Sequence, residues 1–308
     1  MNNKIIYRSC RLEDLQSVWN TFLISFRDMM RKVHGACTAE RYPRAAAPYL
    51  RHILKTDSHS FWVAESGGRI AGFACAIVRG PIWFLSDFWI LPQFQNRGIG
   101  KELLGRALQS ERKFRIISTY SSLHPSAMRS YMMVGMTPRF PVFTLVARTE
   151  SLKLDTSHAE SVELVELSPT DPLGTIRKAI MEMTSVDRLV RGSGRDEDHD
   201  FFINRNGNRC WLARERRQTV GYSYLTPEGQ IGPVATKSGR NMLFILFRAI
   251  QAGVRLHSHL SIRVPSLNLE SMRALMRAGF QIESHALFMS SKEFGRMENY
   301  VISGPALF

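Results

Sequence analysis

The chain has 308 residues, of which 44% are hydrophobic and 22% are charged. These values are typical of a globular protein with enough apolar residues for about two domains. They exclude disordered, collagen-like and low-complexity chains, and no apolar run reaches the roughly 18–20 residues that a membrane-spanning helix requires.

Positive charge is concentrated in the first half of the chain. Residues 1–150 contain 21 Lys and Arg against 10 Asp and Glu, whereas residues 151–308 contain 20 against 17. A basic field attracts polyanions such as nucleic acid, anionic lipid or a phosphorylated ligand. Because no basic run and no nucleic-acid-binding motif accompanies the charge, we favour a phosphorylated small molecule over nucleic acid. A basic surface without a ligand stays open as the alternative.

The N-terminus and the cysteines indicate a reduced environment. Residues 1–10 lack the apolar stretch of a signal peptide. The four cysteines lie far apart without a C-x-x-C pair, and the histidines show no metal-ligand spacing. We therefore expect a cytoplasmic protein with no membrane contact, no disulfide framework and no metal site.

The first half is predicted to alternate strands and helices. Residues 14–27 place apolar side chains at helical spacing, and the turn signals Ser66-Gly67-Gly68 and Gly80-Pro81 separate strand-like runs. In chain order, the predicted elements are a strand at 4–8, a helix at 14–27, a looser helix at 38–55, strands at 61–64, 70–79 and 82–91, a helix at 99–109, a strand at 115–121, a helix at 125–134 and a closing strand at 142–148.

The second half repeats this order of elements. Its predicted strands are at 162–167, 210–215, 219–225, 230–236, 260–264 and 281–289, and its predicted helices are at 175–183, 196–204, 242–256 and 269–278. The acidic run at 196–200 is expected to be a solvated helix start, because the helix dipole favours acids there, rather than a metal site.

Sequence matches between the halves indicate a duplication. The segment beginning at Trp62 reads W-V-A-E-S-G-G-R-I-A-G, and the one at Trp211 reads W-L-A-R-E-R-R-Q-T-V-G. Further on, S-A-M-R-S-Y-M-M-V-G-M at 126–136 matches E-S-M-R-A-L-M-R-A-G-F at 270–280. Two matches in the same order point to a repeated domain. We predict an α+β protein with domains at 1–150 and 151–308, each a mixed, mostly antiparallel sheet flanked by helices.

A glycine-containing turn before a predicted helix is the most informative segment. In Q-N-R-G-I-G-K at 95–101, Gly98 and Gly100 let the backbone approach a ligand, and the N–H groups at a helix start attract phosphate oxygens. Arg97 and Lys101 add positive charge. The spacing fits neither a P-loop nor G-x-G-x-x-G, and a tight turn without a ligand would have the same sequence.

Two motifs occur in order along the first half. The first is Gln95-x-x-Gly98-x-Gly100, and the second, some thirty residues later, is H-P-S-A-M-R-S-Y-M-M-V-G-M at 124–136. Together they resemble the Q/R-x-x-G-x-G/A and N-x-x-A-x-x-x-Y-x-x-x-G-F motifs of the GNAT superfamily of acyl-CoA-dependent N-acetyltransferases. His124 replaces the usual Asn, and Met136 the usual Phe. The resemblance covers residues 3–148 in element order, and the second half resembles the same fold in a degenerate form.

This resemblance implies acetyl-CoA as the cosubstrate. Its pantetheine arm would lie between the strands at 82–91 and 115–121 and would bond to the backbone near Trp89, Ile90 and Leu91. His124 would contact the same arm. The pyrophosphate would be held by the backbone amides of Gln95, Asn96, Arg97, Gly98, Ile99, Gly100 and Lys101.

The resemblance also implies two catalytic candidates. Tyr131 stands where the family places a tyrosine that protonates the leaving thiolate. Asp87 is the only carboxylate between Glu65 and Glu102, and it interrupts an apolar strand. Since a buried Asp is costly unless it is paired or functional, Asp87 is a candidate general base. It could equally bind a structural partner, and Ser86 is a lesser candidate.

The second half lacks these groups, because Leu275 stands opposite Tyr131 and no G-x-G occurs near residue 240. We therefore predict an N-acetyltransferase whose first domain transfers an acetyl group from acetyl-CoA to a primary amine of a small molecule or peptide. The alternative is a non-catalytic acyl-CoA-binding or regulatory module. The sequence does not identify the acceptor.

Overall fold

The structure is a computed structural model that describes residues 4–35, 46–109, 113–154 and 162–308. Two compact units make up the chain. The first comprises Met1–Pro138, Met289–Lys292 and Pro305–Leu307, and the second comprises Arg139–Phe288, Glu293–Gly304 and Phe308. Short segments from near the end of the sequence thus complete the first unit.

Five strands of the first unit follow one another across the sheet in chain order. They are β1 (Ile5–Ser9), β2 (Phe61–Ser66), β3 (Arg69–Arg79), β4 (Ile82–Ile90) and β5 (Ile116–Ser121). Neighbours are antiparallel up to β4, whereas β4 and β5 are parallel. The helices are α1 (Leu15–His34), α2 (Pro48–Thr56), α3 (Ile99–Leu108) and α4 (Pro125–Met133).

The helices of the first unit pack on this sheet through apolar faces. Val18, Trp19 and Phe22 of α1 are buried, and α1 contacts β3 and β4. Leu103 and Ala107 of α3 are likewise buried, and α3 contacts β2, β3 and β4. Their three- and four-residue spacing places each set on one side of its helix.

The second unit contains the remaining strands. They are β6 (Thr137–Arg148), β7 (Val162–Leu167), β8 (Arg209–Glu215), β9 (Gln218–Leu225), β10 (Gln230–Thr236), β11 (His259–Pro265), β12 (Gln281–Ser290) and β13 (Tyr300–Val301). Their order is β12-β6-β11-β10-β9-β8-β7, and β13 pairs with β10. The helices are α5 (Leu173–Val190), α6 (Asp196–Asn204), α7 (Met242–Val254) and α8 (Leu269–Ala278).

The strand registers confirm the duplication. Gly72 of β3 pairs with Ile90 of β4, and Gly221 of β9 pairs with Thr236 of β10. In both units the second strand then contains one extra residue at the same distance from this pair, which makes a β-bulge. The prediction of an α+β chain with two similar, mostly antiparallel sheets flanked by helices is therefore confirmed.

Helix ends differ from the prediction where apolar spacing weakens. The helix predicted at 14–27 continues to His34, where Gly35 ends it in a left-handed conformation (φ 68°). The one predicted at 175–183 runs from Leu173 to Val190, and its extension contains Asp187, which is buried in an ion pair with Arg195. The helix predicted at 38–55 is observed as α2, which Pro48 begins, and residues 36–45 lie outside the described part of the chain.

The strand predicted to close the first half belongs mostly to the second unit. β6 pairs antiparallel with β11 from Val142 to Arg148, and Leu145 and Ala147 lie in the apolar core of that unit. In the first unit, Ser291 lies beside β5, and its N–H donates to the carbonyl of Ile117 at 2.9 Å. Apolar alternation identifies a strand but not its partner, so the sequence could not show this.

The acidic run at 196–200 is only partly solvated. Asp196 and Glu197 are exposed at the start of α6, as predicted, but Asp198 and His199 are fully buried. His199 Nε2 lies 2.7 Å from the carboxylate of Asp187. The prediction of a helix start is confirmed. The prediction that the whole acidic run is solvated was wrong, because one face of α6 packs against a buried polar cluster.

That cluster surrounds Asp187, which has no exposed surface. Its carboxylate accepts hydrogen bonds from Arg195 Nε at 3.1 Å and from the Tyr222 hydroxyl at 2.6 Å. Burial alone would raise the pKa of Asp187, but the charges of Arg195 and His199 hold it below its ordinary value. The second unit therefore buries a carboxylate by pairing it with a cation.

Candidate active site

The parallel strands β4 and β5 separate partway along their length. They pair from Ile82 with Ile116 to Leu85 with Thr119, while β4 continues to Ile90. At the point of separation, the Thr119 hydroxyl donates to the carbonyl of Leu85 at 3.0 Å. The result is a gap between β4 and β5, beside which most of the predicted site residues lie.

A β-bulge at Ser86 marks the start of this gap. Cys75 of β3 pairs with Asp87 and Ala76 pairs with Leu85, so Ser86 is the extra residue of β4. Only 8% of Ser86 is exposed, and within the described part of the chain its hydroxyl has no hydrogen-bond partner. Bulges re-aim side chains next to functional sites, and this bulge lies directly after the last residue pair that joins β4 to β5.

Asp87 directly follows the bulge. It is 8% exposed, and its carboxylate accepts hydrogen bonds from the Tyr49 hydroxyl and from Trp89 Nε1, each at 2.8 Å. Burial raises the pKa of Asp87 to about 6, although these two hydrogen bonds oppose the rise. Asp87 thus titrates close to neutrality, in the range useful for a general base.

Tyr131 lies in α4 and is also buried. Its ring centroid is 6.1 Å from that of Phe88, the residue after Asp87. Burial, and next the negative charge of Asp87, raise the pKa of Tyr131 above its ordinary value of 10.0. The phenol therefore keeps its proton at neutral pH, as a general acid must before it donates.

The turn before α3 brings backbone amides together. α3 begins after Gly98, and its first intrahelical bond runs from the N–H of Glu102 to the carbonyl of Gly98 at 3.3 Å. The N–H groups of Ile99, Gly100 and Lys101 precede that bond and so lie at the positive end of the helix dipole. The side chains of Arg97 and Lys101 are exposed beside them, an arrangement that suits a phosphate.

The two glycines of this turn serve different needs. Gly98 has a left-handed φ of 80°, and a Cβ there would point into open space. Gly100 lies against the sheet, where a Cβ would be 3.0 Å from the ring of Phe88. Gly98 therefore leaves room outside the helix start, whereas Gly100 allows α3 to pack close to β4.

Some backbone groups of β4 near the gap already have hydrogen-bond partners within the protein. The N–H of Leu91 donates to the carbonyl of Ala71 at 2.9 Å, and the side-chain amide of Gln95 donates to the carbonyl of Ile90 at 3.1 Å. Because peptide groups alternate sides along a strand, the amides that face away from β3 belong to Phe88 and Ile90. Of the predicted arm-binding positions, Ile90 thus has its N–H directed toward the gap, whereas those of Trp89 and Leu91 face β3.

His124 lies between β5 and α4, and Asn96 and Arg97 lie in the turn between β4 and α3. His124 is half-buried at the start of α4, and its carbonyl accepts from the N–H groups of Ala127 and Met128 at 3.0 and 3.2 Å. Asn96 has a left-handed φ of 61° in the turn before α3. Arg97 lies over the Phe94 ring, with its guanidinium carbon 5.5 Å from the ring centroid.

In the second unit, the chain itself fills the equivalent gap. β10 and β11 pair only at Gln230–Ser261 and Ile231–Ile262 before they separate. β13 then pairs with β10 at Val234 and Ala235, and Ile302 bridges to Arg263 of β11. The side chain of Asn268, which the sequence repeat aligns with His124, donates to the carbonyl of Tyr300 at 3.3 Å.

The catalytic candidates have no counterparts in the second unit. The shared register places Gly232 at the position of Ser86 and Pro233 at the position of Asp87. Leu275, opposite Tyr131 in the repeat, is a fully buried apolar side chain. The described residues of the second unit therefore offer neither a carboxylate nor a phenol at these positions.

Sequence reasoning missed the partners of Asp87. Tyr49 lies in α2, which the sequence predicted only as a loose helix, and it meets Asp87 from 38 residues away. Trp89 was considered only for its backbone, yet its indole N–H binds the carboxylate. The two-residue spacing of Asp87 and Trp89, which places both on one face of a strand, is the one signal that could have shown the second contact.

The fold defines a class of protein: two similar α+β units in tandem, one with an open gap between its parallel strands. Residues 27–135 match the sequence model of the acetyltransferase (GNAT) family. This match lies within the first unit and, together with the fold, supports a GNAT superfamily acetyltransferase with acyl transfer as its general activity. No curated protein matches the sequence.

Solved structures show the same tandem fold. A protein of Pyrococcus horikoshii described as a candidate acetyltransferase is 16% identical, with a TM-score of 0.75 over 99% of this chain and 96% of that one. A GCN5-related N-acetyltransferase of Sphaerobacter thermophilus is 15% identical, with a TM-score of 0.60 over 93% and 95%. A tandem GNAT protein from the clavulanic acid biosynthesis pathway is 14% identical, with a TM-score of 0.58 over 93% and 98%. At these identities the likeness shows the fold alone.

Two further features are absent from the described residues. Among the helices described, none is long and apolar enough to cross a membrane. In the same residues, no group of three or more His, Cys, Asp or Glu could hold a metal ion. Cys10, Cys75 and Cys210 are buried free thiols, and Cys37 lies outside the described part of the chain.

Proposed function

We propose that this protein is an N-acetyltransferase that moves an acetyl group from acetyl-CoA to a primary amine in its first unit. The observation that carries the proposal is the buried carboxylate of Asp87 beside the open gap between β4 and β5, with the buried phenol of Tyr131 nearby. An ionised carboxylate can accept a proton from the attacking amine, and a protonated phenol can donate one to the leaving thiolate. The environments of Asp87 and Tyr131 suit these two roles.

The residues present fit the cofactor. The amides of Ile99, Gly100 and Lys101 and the side chain of Arg97 would hold the pyrophosphate, since a helix start attracts phosphate. The open edge of β4 at Phe88 and Ile90 would bond the pantetheine arm in the manner of an added strand. Acetyl-CoA would supply the activated acyl group as a thioester.

The two buried groups would handle the protons. Asp87 would accept a proton from the acceptor ammonium, which leaves the nitrogen lone pair free to attack the thioester carbonyl carbon. As the new C–N bond forms and the C–S bond breaks, Tyr131 would donate its proton to the departing sulfur. The bulge at Ser86 would keep β4 and β5 apart so that both reactants fit between them.

The second unit would bind no cofactor, because β13 lies between β10 and β11 in the equivalent gap. It would instead contribute structure. The two units would therefore differ in function: residues before β6 would carry the chemistry, and the later ones would form a degenerate GNAT-like unit.

Release of free thiol from acetyl-CoA in the presence of a panel of amines tests this function. We expect amine-dependent thiol release together with saturable acetyl-CoA binding. A non-catalytic acyl-CoA-binding module would bind acetyl-CoA but release no thiol with any amine. Absence of both binding and release would contradict an acyl-CoA function altogether.

A further inference from the structure

Within the described part of the chain, the buried carboxylate of Asp87 is held by neutral donors. Tyr49 and Trp89 each donate one hydrogen bond to it, and among the described residues no Lys, Arg or His forms an ion pair with it. By contrast, the buried Asp187 of the second unit is paired with Arg195. Buried charges are normally paired. Since no described residue supplies a cation to Asp87, a cationic ligand could supply it.

Aromatic rings surround this carboxylate on the α1 and α2 face of β4. The Trp89 ring meets Phe22 and Phe26 edge-on, with centroids 5.2 and 6.0 Å apart. Tyr49 meets Trp19 edge-on at 6.5 Å. Trp19 and Phe22 are buried, whereas Phe26, Tyr49 and Trp89 are half-buried. We call these three half-buried rings the aromatic wall.

The aromatic wall and Asp87 lie on the side of β4 opposite to Phe88 and Tyr131, because side chains alternate along a strand. Phe88 packs with Tyr131 and with Gly100 of α3, the helix whose start would hold the pyrophosphate. The two faces of β4 thus differ in chemistry. One has backbone amides and basic side chains, and the other has a carboxylate and rings.

We propose that the acceptor is a primary amine on an aromatic or similarly apolar group, with no carboxylate next to the amine. Its ammonium would pair with Asp87, and its ring would pack on the aromatic wall. A neighbouring carboxylate would be repelled by Asp87, and a sugar or polyhydroxyl group would lose hydrogen bonds against the rings. This inference rests on the proposed N-acetyltransferase function and specifies its acceptor.

The proton balance follows from this pairing. The acceptor enters as an ammonium ion, because a free alkylamine is protonated at neutral pH. Asp87 takes one N–H proton, the nitrogen lone pair forms the C–N bond, and the thioester sulfur leaves with the C–S electron pair and takes its proton from Tyr131. The second nitrogen proton returns to the Tyr131 phenolate as the amide product forms, and Asp87 then releases its own proton to solvent, so that one proton is released per turnover.

Amines that differ in one group test the inference. Phenethylamine is compared with phenylalanine, which adds a carboxylate beside the amine, and with ethylamine, which lacks the ring. Glucosamine and spermidine represent polar and polycationic acceptors. We expect kcat/KM for phenethylamine to exceed that for each of the others by about a hundredfold or more, since unpaired or like charges in a buried site discriminate strongly.

Two variants test whether the aromatic wall causes the preference for phenethylamine. Phe26→Ala removes one ring of the aromatic wall without touching Asp87, so the preference for phenethylamine over ethylamine should fall about tenfold. Tyr7→Ala removes a half-buried ring of β1 that lies against Arg106, and it should leave the preference unchanged. An equal loss in both variants would attribute the preference to general destabilisation and overturn the inference.

The outcomes distinguish failure of the proposed acceptor class from failure of the proposed acetyltransferase function. Turnover of glucosamine, spermidine or phenylalanine at rates equal to or above that of phenethylamine would overturn the acceptor class and leave the acetyltransferase function standing. Acetyl-CoA binding without thiol release for any amine of the panel would overturn both. A phenethylamine preference that Phe26→Ala reduces and Tyr7→Ala does not is the result that supports the inference.

Discussion

Asp87 shows how one residue can be costly to the fold and useful to function. A carboxyl whose pKa rises from 3.8 to about 6 on folding is more easily protonated in the native state than in the unfolded chain. Its stabilising contribution is therefore complete below pH 3.8 and is lost as the pH rises toward 6. At neutral pH, the ionised group lowers stability but is available as a base.

Replacement of Asp87 by Asn should separate these two effects. The amide keeps the shape and can still accept from Trp89, but it cannot take a proton, so kcat should fall by about 10²-fold. Because a buried charge is removed, the melting temperature at pH 7 should stay the same or increase. For the parent, kcat/KM should rise with pH through an ionisation near 6.

Steady-state kinetics from pH 5 to 8 and thermal melts of both proteins check this. A melting temperature that falls by several degrees with unchanged kcat would make Asp87 a structural residue. A pH profile that is flat across 6 would remove it as the base.

At the scale of elements, the start of α3 depends on a glycine whose conformation other residues rarely adopt. Val in place of Gly98 would put a branched Cβ into the space outside the helix start and would strain a φ of 80°. We expect acetyl-CoA affinity to fall by about tenfold or more, since the backbone could no longer approach the pyrophosphate.

Gly68→Val is the matched control, because Gly68 also has a positive φ, of 77°, and open space around its Cβ, but lies in the turn between β2 and β3. Calorimetric titration of both variants measures the affinities. If Gly68→Val weakened binding as much as Gly98→Val, backbone strain and not the lost approach would explain the effect.

The sequence predicted these elements to different degrees. The glycine turn and the helix after it could be predicted, because the special conformation of Gly98 and the apolar spacing of α3 are local properties. The partner of β6 and the position of β13 could not, because strand pairing depends on residues far apart in the chain. For the same reason, Asp87 was found as an isolated carboxylate, whereas Tyr49, which reaches it from α2, was not.

The position of β13 also predicts how many cofactors one chain binds. In the second unit, the buried residues Tyr300 and Val301 pair with β10 where β4 in the first unit has a free edge. We therefore expect CoA titration to saturate at one equivalent per chain. Saturation at two equivalents would mean that β13 leaves its place or that the second unit binds CoA elsewhere.

At the scale of the whole molecule, duplication has led to two ways of burying a carboxylate. In the first unit, no described residue supplies a cation to Asp87, which suits a site that binds a cationic ligand. The second unit surrounds Asp187 with Arg195, His199 and Tyr222, which suits a fixed structure. The two units share strand register and bulge position, yet among the described residues the second has Pro233 and Leu275 where the first has Asp87 and Tyr131.

Because Asp187 lies in the second unit, its replacement should lower the stability of the protein without changing its affinity for the cofactor. Asp187→Asn would leave the buried Arg195 without its counter-charge and should lower the free energy of unfolding by about 3–5 kcal/mol. Acetyl-CoA affinity of the protein that remains folded should be unchanged. Denaturant unfolding and calorimetry on the same sample measure the two quantities, and a loss of affinity without a loss of stability would contradict the structural role.

The most direct test of acetyl transfer in the first unit is the kinetics of Tyr131→Phe, measured as thiol release from acetyl-CoA with a working amine. Phenylalanine keeps the ring beside Phe88 but removes the hydroxyl that would protonate the leaving sulfur. We expect kcat to fall by about 10²-fold with nearly unchanged acetyl-CoA affinity, because the lost interaction is made only in the transition state. Equal kcat for Tyr131→Phe and the parent would contradict this expectation.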